Sequence, residues 1–167
     1  MLHPEPNEFD RLCAEGRPVP VWEDVLADME TPLSAYWKLA HDEPHSFLLE
    51  SVTGGEQVGR YSYIGVRPRL VLRTKGTSIR RVTDSGEELQ RMDSGEDPLE
   101  VLRREMPGCP VETHGLPKFI GGAVGTLAYD LVRFFERLPD STEDDLQVDD
   151  LAMMLCDTVV AFDHARN

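Results

Sequence analysis

Apolar residues recur along this chain with two different periods, and each period predicts its own kind of element. Leu33, Tyr36, Trp37 and Ala40 fall at i, i+3, i+4 and i+7, the spacing of one helix face. Thr31 is a good N-cap and Pro32 is tolerated at N1, so the helix starts there, and Pro44 lies just past its end. Asp97-Pro98 repeats that signature and predicts a second helix carrying Leu99, Leu102 and Met106 on one face, ended by Pro107-Gly108. A shorter helix over Pro6 to Glu15 would bury Phe9, Leu12 and Cys13, with Gly16 as its C′ residue.

Alternation with period two predicts the strands. Phe47 to Ser51, Tyr61 to Val66 and Arg69 to Lys75 follow one another across the turns at Gly54-Gly55 and Arg67-Pro68, and Gly76 to Thr83 adds a further hairpin arm. In the third strand Leu70 and Leu72 face one side while Arg69, Arg73 and Lys75 alternate to the other. Pro18 to Trp22 carries prolines at alternate positions and suits an edge or extended entry. After the turn at Asp84 to Gly86 only a weak strand or loop is signalled. Leu116 to Pro139 reads as a glycine-rich strand running into a helix that buries Leu131, Phe134, Phe135 and Leu138. Leu151 to Phe162 reads as one long apolar strand. The order of elements predicts an α+β fold with antiparallel pairing. No linker composition divides residues 1–167.

Composition narrows the class. The chain has 167 residues and is 29% charged, with a formal net charge of −14, which argues against nucleic acid because phosphate neutralisation needs a basic face. Cys13, Cys109 and Cys156 are widely spaced and odd in number, which argues against a disulfide framework and for a reducing cytoplasm. The N-terminus shows no signal-peptide pattern, and no apolar run approaches a membrane span.

Two local features depart from this acidic background. Seven basic residues stand between Arg60 and Arg81, with no Asp or Glu between Gln57 and Thr83. They form a solvated strand face, or a local anion site built on guanidinium forks. Six carboxylates between Asp140 and Asp150 read as a solvated, mobile loop. Glu50 and Ser51 end an apolar run, with Arg60 across the next turn. Glu50 could meet the ammonium of a free amino acid and Arg60 its carboxylate; alternatively the three pair with one another and close the hairpin. Gly121-Gly122-Ala123-Val124-Gly125 fits no phosphate-binding motif and reads as close approach of another backbone. His41 and His45 are separated by Pro44 and cannot form a helical metal pair, and no catalytic constellation or metal cluster emerges.

FLLES, GRYSYIG, LPKFIGGAVGTLAYD and the closing FDH, preceded by TPLSAYWKL, together resemble the N-terminal region of anthranilate synthase component I, of the chorismate-utilising enzymes. The resemblance runs from about Pro18 to His164. It implies an α/β/β/α sandwich, with antiparallel sheets face to face and helices outside, incomplete in this chain. It implies a site for L-tryptophan, the feedback inhibitor, at Leu49, Glu50 and Ser51, with Arg60 in the neighbourhood. It further implies a C-terminal chorismate-binding region with its Mg²⁺, absent here, and a glutamine amidotransferase subunit supplying ammonia. Residues 1–167 would then be a regulatory region with no catalytic residue of its own. Aminodeoxychorismate synthase component I shares a similar N-terminal region, and a free-standing amino-acid-binding module is a third reading. A sheet left incomplete after Leu151 to Phe162 predicts self-association; a clean monomer at high concentration in analytical ultracentrifugation contradicts it.

Overall fold

The computed structural model describes residues 1–50, 59–139, 141 and 143–165. The chain divides into two compact units, each assembled from separated segments, which is why no linker composition marks the division.

The first unit comprises Met1–Val66, Pro107–Gly121 and Thr158–Asn167. It opens with β1 (Leu2–His3), α1 (Pro6–Cys13) and β2 (Trp22–Glu23), with β1 and β2 paired antiparallel. Gly16 follows α1 with φ +68°, the left-handed position expected of a C′ glycine. Phe9 and Leu12 are only half-buried, however, and Cys13 is exposed, so α1 covers less than its periodicity predicts. Then come α2 (Pro32–Ala40), β3 (Ser46–Leu49) and β4 (Tyr61–Val66). Thr31 and Ser34 cap α2 reciprocally: Ser34 N donates to Thr31 Oγ1 at 3.1 Å and Thr31 N to Ser34 Oγ at 2.9 Å. The helix lies on β3 and β4, where Tyr36 Oη meets Ser46 Oγ at 2.9 Å and Ala40 is buried. Its predicted inward stripe is split, since Leu33 is 64% and Trp37 70% exposed. Periodicity specifies an apolar face without specifying what covers it.

The second unit comprises Arg67–Met106 and Gly122–Asp157. Its sheet holds β5 (Leu70–Lys75), β6 (Ser78–Thr83), β7 (Gly86–Arg91), β8 (Gly122–Leu127) and β9 (Leu151–Cys156), in the order β7-β6-β5-β9-β8, antiparallel throughout. The stretch after Asp84 is thus a full strand. One helix, α3 (Pro98–Glu105), packs on this sheet. Asp97 Oδ1 accepts the N–H groups of Leu99 and Glu100 at 2.7 and 3.0 Å, while Glu100 reaches back to Asp97 N at 3.4 Å. Val101, missing from the predicted stripe, is its fully buried anchor among Leu70, Leu72, Ile79, Met92, Leu151 and Leu155; Leu99 and Leu102 pack on that cluster, and Met106 lies exposed. Each large side chain fully buried there stabilises the fold by about 1.5–3 kcal/mol.

Two further expectations change. Leu151 to Phe162 is two strands: β9 is an inner strand of the second unit, and β10 (Val160–Asp163) pairs with β4 in a three-stranded sheet of order β10-β4-β3 in the first. The run contains no glycine or proline, so nothing in its pattern announces the break at Asp157. The helix expected after β8 is a short 3₁₀ segment, Tyr129–Phe134, with three residues per turn. It buries Leu131 and packs Phe134 on the core, while Phe135 and Leu138 lie exposed.

Gly125 of β8 admits a neighbouring backbone. A Cβ on Gly125 would stand 2.0 Å from Ala152 O. We expect Gly125→Ala to cost about 1–3 kcal/mol through forced backbone shifts. Gly108→Ala, whose Cβ would meet nothing closer than 3.9 Å, serves as the control. Urea unfolding of both variants checks this; equal midpoints contradict it.

Candidate functional site

Of the predicted site residues, Leu49 ends β3, Glu50 follows it and Arg60 directly precedes β4, and their surroundings follow from pleat and register. Phe47 pairs with Gly65 and Leu49 with Tyr63, so Phe47, Leu49, Tyr61 and Tyr63 share one face of the sheet. The ring of Phe47 occupies the space that a Cβ on Gly65 would take, its Cε1 only 2.2 Å from that position. Phe119, from the segment before β8, meets Phe47 edge-on at 6.3 Å and Tyr63 at 5.3 Å between ring centroids. Tyr61 lies 6.0 Å from Tyr63, and the Arg60 guanidinium stands 5.0 Å over the Tyr61 ring. Burial pushes the Tyr63 phenol above its ordinary value, against a hydrogen bond with the Phe119 backbone that lowers it. The result is an aromatic row ending at Arg60, with Leu49 half out of the same face.

Glu50 follows β3 and is exposed, and Ser51 lies outside the described residues. Arg60 does not bond Glu50. Its Nε and Nη2 donate to Asp163 Oδ1 and Oδ2 at 2.8 and 2.7 Å, a bidentate pair joining residues 103 positions apart. Asp163 raises the Arg60 pKa through that hydrogen bond. His164 N donates to Arg60 O at 2.8 Å, and His164 Nε2 lies 2.8 Å from Ser62 Oγ. GRYS and FDH, far apart in sequence, therefore form one clasp. Ser62 is buried, which suits it to holding His164 in place and not to attacking a substrate. The partner of Arg60 could not be read from spacing, because nothing in the sequence signals a contact of that separation.

Five of the other six basic residues of the block pair with the chain's own carboxylates. Arg69 pairs with Asp157 at 3.1 Å, Arg73 with Asp149 at 3.7 Å, Arg80 with Glu87 at 3.4 Å and Arg81 with Glu105 at 2.8 Å. Lys75 donates to Asp144 at 2.5 Å and to Val148 O at 2.7 Å, and lies 3.8 Å from Asp150. Asp150 is buried; its Oδ2 accepts Gly76 N at 2.7 Å, and its own N–H donates to Thr74 O at 2.8 Å. The described part of the acidic loop is exposed from Glu143 to Val148, as expected of a solvated face, while Asp144 pairs with Lys75 of β5 and Asp149 and Asp150 turn inward. The side chains of these pairs are in part exposed, so the basic block is a solvated strand face set against the chain's own carboxylates. Among the described residues no group of three or more His, Cys, Asp or Glu could hold a metal ion, and no helix is long and apolar enough to cross a membrane.

No protein-family model matches the chain. Among curated proteins it is 44% identical over 166 residues to anthranilate synthase component 1 of Pseudomonas aeruginosa, covering 95% of this chain and 32% of the relative. It is 41% identical to the protein of the same name from Mycolicibacterium smegmatis, over 95% of this chain and 30% of that one. The Thermus thermophilus protein of that name is 45% identical over 149 residues, 89% of this chain and 30% of the relative. The crystal structure of anthranilate synthase component I from Streptococcus pneumoniae shares the fold, with a TM-score of 0.52 at 24% identity over 87% of this chain and 30% of that one. The chain thus spans about a third of the length of the relatives it matches.

The Lys75 hydrogen bond, followed by that of the Gln147 N–H, holds the Asp144 carboxyl below its usual range. A depressed carboxylate contributes stability at pH values above its unfolded pKa and loses it as pH falls through the folded one. We expect the unfolding midpoint to drop on acidification below about pH 4, and Lys75→Met to flatten that acid limb. An unchanged acid limb in the variant contradicts the pairing of Asp144 with Lys75.

Proposed function

We propose that this chain, a homologue of about one third of anthranilate synthase component 1, is the tryptophan-binding regulatory part of such an enzyme. The whole polypeptide would convert chorismate and ammonia to anthranilate and pyruvate in tryptophan biosynthesis, in the cytoplasm, with ammonia drawn from glutamine by an amidotransferase partner. The observation that carries this reading is 41–45% identity to proteins of that name, over at least 89% of this chain. Chorismate and Mg²⁺ are assigned to the two thirds of the relatives outside the match.

The chemistry around β3 supports an amino-acid ligand. Glu50 is an exposed carboxylate available to an ammonium group, and Leu49 with the aromatic face beside it offers apolar surface to an indole ring. Ser51 adds a hydroxyl next in sequence. Arg60 borders this neighbourhood with its fork held by Asp163, so a ligand carboxylate would reach it only by displacing or sharing that partner.

In the full-length enzyme, Ser51→Ala should raise the tryptophan concentration for half-inhibition about tenfold, the size of one hydrogen bond to a charged group, and leave uninhibited turnover intact. Unchanged inhibition removes Ser51 from the site. Product analysis on the same enzyme decides the chemistry: anthranilate supports the reading, and aminodeoxychorismate places the chain in the folate-pathway relative instead. Saturable tryptophan binding by the 167-residue chain alone, without any associated synthase activity, favours a free-standing binding module.

A further inference from the structure

Directly facing residues of an antiparallel pair lie on the same side of the sheet. Leu49 faces Tyr63 across β3 and β4, and on the other flank of β4 Ala161 faces Tyr63 and Asp163 faces Tyr61. Asp163 therefore stands on the face that carries Leu49 and the aromatic row. It is also the one charged residue within β3, β4 and β10, whose sequences are SFLL, YSYIGV and VAFD. A lone carboxylate on an otherwise apolar and aromatic sheet face calls for a role.

Its contact with Arg60 uses half of what that side chain offers. A guanidinium carries five N–H groups in a rigid plane, and two of its edges each fit a carboxylate. Asp163 takes the edge formed by Nε and Nη2, at 2.8 and 2.7 Å. Nη1 and the second N–H of Nη2 form the other edge, and no described residue accepts a hydrogen bond from it. The Arg60 side chain is 38% exposed and that of Asp163 20%, so the pair is partly open to water. Tyr61 lies against the face of the guanidinium, 5.0 Å from its ring centroid to the central carbon. Asp163 is itself held, since its Oδ1 accepts the Ala165 N–H at 3.2 Å. The Arg60 head is thus fixed on one edge and one face, with its second edge left over.

We propose that Asp163 is a positioning residue for the amino-acid ligand: by holding the Nε edge of Arg60 it presents the Nη1 edge to the ligand's carboxylate. The proposal rests on reading the chain as the tryptophan-binding part of an enzyme. The ligand shares the guanidinium with Asp163 and does not displace it. A long, flexible arginine would otherwise have to be ordered by the ligand itself, at the expense of affinity. Asp163 orders it beforehand, on the sheet face that already offers Leu49 and the aromatic row to an indole ring.

Inhibition of the full-length enzyme by L-tryptophan and by tryptamine, which keeps the ammonium and indole but lacks the carboxylate, tests this. Asp163→Asn preserves the side chain's shape and removes one acceptor from Arg60. It should raise the tryptophan concentration for half-inhibition about tenfold and leave that for tryptamine unmoved. A general loosening of the sheet would shift both ligands alike. In an Arg60→Gln background, Asp163→Asn should have no further effect on tryptophan, because Asp163 acts through Arg60; where tryptamine does not inhibit, this comparison decides alone. Equal shifts for the two ligands, additive effects of the two substitutions, or an unchanged response to tryptophan each overturn the proposal. So does tighter tryptophan binding by Asp163→Asn, which would make Asp163 a competitor of the ligand. If circular dichroism shows Asp163→Asn unfolded, Asp163→Glu, which keeps the charge and shifts the fork, must show the same selective loss. A parent enzyme that tryptophan does not inhibit refutes the tryptophan-binding reading itself, and is told apart from these outcomes before any variant is made.

Discussion

Everything in the second unit depends on how β5 satisfies its charges. An inner strand of a sheet is buried by its neighbours, yet β5 carries Arg73 and Lys75 on the face opposite Leu70, Leu72 and Thr74. Cations held there need carboxylates close by, and Asp144, Asp149 and Asp150 supply them from the segment that leads into β9. Asp150 ties that segment to the backbone as well, through Gly76 N and Thr74 O. The segment that delivers the counter-charges also delivers β9 into its place between β5 and β8. Charge matching and strand order are therefore one constraint.

The first unit is closed by a comparable long-range pair. The bidentate bond from Arg60 to Asp163 holds β10 against β4, and His164 adds bonds to Arg60 O and Ser62 Oγ. The aromatic row on β3 and β4 gives the same sheet an apolar face next to Leu49. A rigid sheet, an exposed carboxylate at Glu50 and an adjoining apolar face are the elements an amino-acid site would use, and the clasp keeps them in register.

Local chemistry was legible in the sequence and remote pairing was not. Thr31-Pro32 and Asp97-Pro98 mark where α2 and α3 start, because a cap bonds residues within one turn of itself. Tyr61–Val66 is a strand over the range its alternation predicts. Gly125 serves the close backbone approach that its place in a strand suggests. The break between β9 and β10 left no trace, since an apolar run looks the same whether one sheet or two receive it. The 3₁₀ turn at Tyr129–Phe134 escaped for a related reason: spacings of three and four are both helical, and packing chooses between them. The inward turn of Asp149 and Asp150 at the end of the acidic loop was not legible, because six carboxylates in sequence resemble a solvated tail until a basic strand is placed against them. At the candidate site, Leu49 and Glu50 are where β3 ends, as expected, while the tie between Arg60 and Asp163 appeared only once the chain was folded.

In the proposed function these residues work as one third of a regulated enzyme. The most direct test is the intact mass of the native polypeptide that carries this sequence, isolated from its source cells. A mass about three times 18.8 kDa is what the account predicts from the relatives' lengths. A mass of 18.8 kDa would contradict it.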